Sequence, residues 1–260
     1  GAGLTSDAVL TGQVVDTPTA REFTQLALQR VSEAQLDAIA GKLEYKSERL
    51  SDLLERDRLA DWSEAEATET LRWVFSTRRK AAVVLNTLGL EGLIGAIDHL
   101  LFAGVPVGER LEDFHTTLLS VGRGLPETTG FDLGSELLHF RNPNTYWLWT
   151  RWIWNPDSET GALPLIVMEE VDLEAASVAE AYERIGLAMA FVDEVGAAAG
   201  FRPPGHGVFG TDVFLASVYA IYMYTTLRMR MTQEFNRIIP ELGELVSRLL
   251  GVHRLEAMQR

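Results

Sequence analysis

The chain has 260 residues, with 37 Asp and Glu against 23 Lys and Arg, and no cysteine. A length of this order carries one large or two small domains, and 47% apolar with 23% charged residues excludes disorder and fibrous repeats. Zero Cys excludes disulfides, thiolate catalysis and Cys-based zinc or iron–sulfur sites. The net charge of −14 argues against broad electrostatic attraction to nucleic acid or anionic lipid.

Taken in chain order, the apolar periodicity predicts helices over 19–40, 43–59, 63–87, 90–103, 108–121, 131–140, 177–199, 211–238 and 240–251. Three openings read S/T-x-x-E, the capping-box pattern: Thr19 to Glu22, Ser63 to Glu66 and Ser177 to Glu180. Gly41, Gly89, Gly104, Gly122 and Gly200 stand where C-terminal caps are expected. Leu163 to Met168 is apolar and branched enough for a short strand, but one strand makes no sheet. The expected class is therefore all-α, one globular domain of eight to ten helices. Residues 1–70 hold 14 acids and 7 bases. They suggest an acidic N-terminal helical layer, 1–88, ahead of a main helical core, 89–260. Within that core we place Leu133 to His139, the Trp cluster and the 211–228 helix.

The run Val213 to Leu227 is uncharged and mostly apolar, but at 15 residues it falls short of the about 20 that a span needs. It reads as a buried helix or an apolar contact surface, so a homo-oligomer, most simply a homodimer, is expected. No membrane span and no secretory leader are expected, and a cytoplasmic location follows.

Three constellations could carry chemistry. Residues 139–155, HFRNPNTYWLWTRWIWN, hold four of the six Trp. Aromatic residues fill cores and interfaces, so a packed seam is the first reading. If the segment is helical, Trp149 and Trp152 share a face. The functional reading is an aromatic-lined small-molecule pocket formed by Trp147, Trp149 and Trp152 with Arg141 and Arg151, or a base-stacking platform flanked by those two Arg. Two E-x-x-H pairs come next, Glu112 with His115 and Glu136 with His139. On helices each pair faces one side, as in di-iron carboxylate bundles, which makes these four the candidate metal ligands. Last is Gly205-His-Gly-Val-Phe-Gly210, a literal G-x-G-x-x-G. Phe201 to Pro204 precede it and cannot form a central strand, so it reads as a turn and no cofactor is implied.

Residues 125–138, LPETTGFDLGSELL, followed by HFRNPNTY up to Tyr146, resemble the helix-hairpin-helix DNA glycosylase family. There an L-P-G-V-G type hairpin leads into a helix, and a catalytic Asp follows a short loop. The run 210–216, GTDVFLA, is similar to a helix opening in relatives of that fold. The resemblance covers at most residues 85–225. Glu127 stands where a hairpin Gly is expected, the hairpin has one extra residue, and the Lys that some members use is missing. Thr150 and Arg151 stand near the catalytic position. The resemblance implies a degenerate or active glycosylase-like protein, touching nucleic acid through Arg123, Arg141 and Arg151. The leading expectation remains a helical binding or interaction protein, with the glycosylase-like protein as alternative and a carboxylate–His metal enzyme third.

Overall fold

Helix boundaries follow from which side chains meet the first free backbone amides. The computed structural model describes residues 13–122, 124–203, 205–234 and 240–255. Helix α1 (Thr17–Leu28) opens on Asp16, whose carboxylate accepts from the Thr19 amide, with Pro18 in the first turn. Thr19 is therefore inside the helix and not its cap. Helix α2 (Glu33–Leu53) opens on a reciprocal box that the E-only pattern passed over. The Gln35 amide donates to Ser32 Oγ, and the Ser32 amide donates to Gln35 Oε1. Gly41 lies within α2, with no heavy atom near the position of a Cβ, so it ends nothing.

Helices α3 (Arg56–Ala60) and α4 (Glu64–Arg72) follow, α4 on the Ser63–Glu66 box with both hydrogen bonds formed. The helix expected over 63–87 stops at Arg72, because residues 73–80 form consecutive turns. Helix α5 (Ala81–Phe102) is broken at Gly89, whose φ of 73° is left-handed, where the sequence placed a helix end. Helices α6 (Val107–Leu119) and α7 (Thr129–Arg141) match their expected spans closely. The segment expected as a strand is instead helix α8 (Ala162–Ile166), and only Val167 makes an isolated bridge, to Val15. Helices α9 (Val178–Ala199), α10 (Gly210–Glu234) and α11 (Leu242–Leu249) complete the chain, with a 3-10 turn over Gly207–Phe209. At α9 the Glu180 amide donates to Ser177 Oγ, and the Glu180 carboxylate reaches the Ala176 amide, one residue before the expected partner. The protein is all-α: two isolated bridges are the only β pairing among the described residues.

The chain forms two units, interleaved in sequence. The first takes Gly1–Leu43, Trp152–Asp172 and Leu187–His253. In it α10 is the central helix, packed by α1, α8 and α11. Val213, Leu215, Val218 and Ile221 are buried in this core. The second takes Glu44–Arg151, Leu173–Gly186 and Arg254–Arg260. Its centre is α7, buried from Thr129 to Phe140. Gly130 and Gly134 allow α6 to approach: a Cβ on Gly130 would lie 2.6 Å from the His115 Cα. One on Gly134 would lie 2.6 Å from Leu111 Cδ1.

Among the described residues, two helices are long and apolar enough to cross a membrane by length and composition alone. Gly207–Thr226 reaches a mean hydropathy of 1.2 and is 67% buried, as a core helix should be. Ala81–Phe102 reaches 1.4 and is 17% buried. The sequence reading weighed the first and passed over the second, whose apolar run is interrupted by Glu91 and Asp98.

Candidate functional site

The residues that sequence singled out mostly meet in the second unit, around α7, and their geometry is structural. The Trp segment is not helical there: residues 146–150 have no regular secondary structure. Such a segment needs other partners for its buried backbone groups. A polar face of α7 supplies them. Asp132 Oδ1 accepts from the Arg151 amide at 2.6 Å, and Ser135 Oγ accepts from the Trp149 amide at 2.7 Å. One helical turn on, His139 Nδ1 donates to the Tyr146 carbonyl at 2.7 Å. Positions 132, 135 and 139 follow the i, i+3, i+7 spacing of one helix face. The Trp149 ring stacks on Phe131 with centroids 4.0 Å apart and planes within 5°.

Glu136, on the same helix, pairs with Lys46 at 2.6 Å, and both side chains are about fully buried. The Lys46 ammonium also lies 4.0 Å from the centre of the Phe140 ring. Removing one partner of such a pair strands a charge in the interior. Burial pushes the Asp132 carboxyl up to about 7; Arg151 opposes that shift and Glu136 adds to it.

These contacts engage two of the four candidate metal ligands. Glu136 faces Lys46 and His139 clamps the Tyr146 carbonyl, while Glu112 and His115 are half-buried on α6. Among the described residues no three His, Asp or Glu side chains converge as metal ligands. Trp149 and Trp152 are 1% and 2% exposed and offer no face to a ligand, and Trp147 is half-buried. Arg141 Nε donates to the Leu54 carbonyl, and its guanidinium lies over Phe102. Arg151 pairs with Asp132 and lies over Phe75. Arg123 is outside the described residues.

A cavity stands elsewhere, in the first unit. Its volume is about 270 Å³, just below the range usual for small-molecule sites. Ala27 and Leu28 of α1, Leu36 of α2, Val213 and Phe214 of α10, and Phe201 with Pro203 of the connecting loop give it apolar walls. Five polar side chains share the lining: Thr24, Glu33, Asp37, His206 and Ser217. Glu33 and Asp37 lie one turn apart on α2, exposed to water. His206 is buried, at 2% exposure, and its Nε2 lies 2.7 Å from Asp37 Oδ1. A carboxylate only accepts, so Nε2 carries a proton, and in the neutral ring Nδ1 is an acceptor. Nδ1 is buried with no hydrogen-bond partner among the described residues.

Comparison with protein-family models, curated proteins and solved structures finds no match for this chain. The site therefore rests on its own geometry. Sequence reasoning met His206 only inside the G-x-G-x-x-G turn and did not single out Asp37. The two are 169 positions apart, and no spacing rule reaches that far.

Proposed function

We propose that the protein is a helical small-molecule-binding protein whose ligand enters the cavity of the first unit. The observation that carries this reading is a concave space where apolar walls meet a few polar groups, the usual make-up of a ligand site. The hydrogen bonds favour binding over catalysis. Thr24 Oγ1 donates to the Phe201 carbonyl and Ser217 Oγ to the Val213 carbonyl. Neither hydroxyl is paired with His206, so the described wall holds no activated nucleophile of the Ser–His kind. The His206–Asp37 contact instead ties the loop after α9 to α2, closing one side of the cavity.

A fragment screen read by thermal unfolding tests the reading. Aromatic and aliphatic fragments of roughly six to twelve heavy atoms, a size suited to a small pocket, are expected to raise the melting temperature of the native chain. They should not do so for Ala27→Trp, which fills the cavity. Equal shifts in both proteins would place the ligand elsewhere.

A further inference from the structure

The polar wall of this cavity is one-sided. Thr24 and Ser217 have already given their hydroxyl protons to backbone carbonyls, which leaves lone pairs. His206 gives its Nε2 proton to Asp37 and keeps a bare Nδ1 without a partner among the described residues. Glu33 and Asp37 are carboxylates and only accept. Pro203 has no N–H, and no Lys or Arg among the described residues lines the space. Every polar side chain of the described lining is thus an acceptor, and two of them carry negative charge.

Resting on the binding reading above, we propose that the ligand is a small organic cation: a primary ammonium on an apolar body. The ammonium brings three N–H donors to polar side chains that have none to spare, and its charge complements Glu33 and Asp37. The body packs against Phe201 and Phe214, whose ring centroids lie 4.8 Å apart, in contact with each other. Nδ1 of His206 is covered in this structure. Carboxylates and phosphates bring acceptors to acceptors and negative charge to negative charge, so the wall rejects them.

Titration calorimetry on the full chain with three matched probes separates the possibilities: 2-phenylethylamine, 2-phenylethanol and 3-phenylpropionate. The amine is expected to bind on the order of tenfold tighter than the alcohol, a moderate gain because both carboxylates face water. The acid should not bind. Glu33→Gln and Asp37→Asn should each erase most of the amine's advantage over the alcohol. The amide introduced by Asp37→Asn would keep an oxygen for His206, and retained helical circular dichroism would confirm that both variants fold. Amine and alcohol binding equally, or the acid binding at all, overturns the cation assignment and leaves the cavity as a binding site. If none of the three binds and the fragment screen is also blank, the cavity reading itself falls.

Discussion

Asp132 is a carboxyl whose environment works against its charge. Burial is the main cause, and the Arg151 guanidinium, 3.6 Å away, offsets it only in part, so the group is pushed up to about 7. In the unfolded chain an Asp titrates near about 3.9. Between those values the folded protein holds a proton that the unfolded chain has released. The contribution of Asp132 to stability therefore falls as pH rises from about 4 to about 7, then levels off. The expected slope belongs to this one side chain, and Asp132→Asn removes it while keeping an oxygen for the Arg151 amide. Melting temperatures taken at closely spaced pH should show the variant gaining on the native chain through that window, with a constant difference above it. Parallel profiles would mean that Asp132 is ionised throughout.

At the scale of elements, the unusual pairing is helix α7 with the irregular segment 146–151. Regular elements satisfy their backbone groups in their own ladders. This segment has no such ladder, and Asp132, Ser135 and His139 supply partners instead. Ser135→Ala would leave the buried Trp149 amide without its acceptor, which costs roughly 1–3 kcal/mol. Urea denaturation should register that loss, while Ser135→Thr, which retains the oxygen, should recover part of it. An alanine variant as stable as the native chain would show that the amide has another acceptor. The same pairing explains what was legible in the sequence. The helix 131–140 and its buried stretch from Leu133 to His139 follow from periodicity, and so does the Ser63 box. Glu136 and His139 stand out in the sequence as an E-x-x-H pair on a helix. Their partners, Lys46 and the Tyr146 carbonyl, are set by tertiary packing, so local spacing suggested a metal instead. The 163–168 segment misled for a related reason: branched apolar residues suit a strand, yet a buried helical turn satisfies them equally. The cavity was not legible at all, because α1, α2, α10 and the 200–206 loop are brought together only by folding.

At the scale of the whole molecule, charge decides which partners fit. Affinity for duplex DNA comes largely from neutralising phosphates with Lys and Arg, and acids here outnumber bases by 14. A local basic face could still outweigh that total, and the helix-hairpin-helix resemblance would build it from Arg141, Arg151 and Arg123. Of these, Arg141 is hydrogen-bonded to the Leu54 carbonyl and stacked over Phe102, and Arg151 is held by Asp132. Turning either onto a phosphate would break contacts that the fold already uses, and breaking the second would leave Asp132 buried without its cation. We therefore expect no sub-micromolar binding to duplex DNA at about 0.15 M salt, measured by fluorescence anisotropy. Any binding at low salt should vanish steeply as salt is added, the behaviour of a purely electrostatic contact. Tight binding at the higher salt, abolished by Arg141→Glu, would instead move the glycosylase-like alternative ahead of the small-molecule reading. Arg141 would then have to leave the Leu54 carbonyl, so the same titration would lower protection of the neighbouring amides from hydrogen exchange.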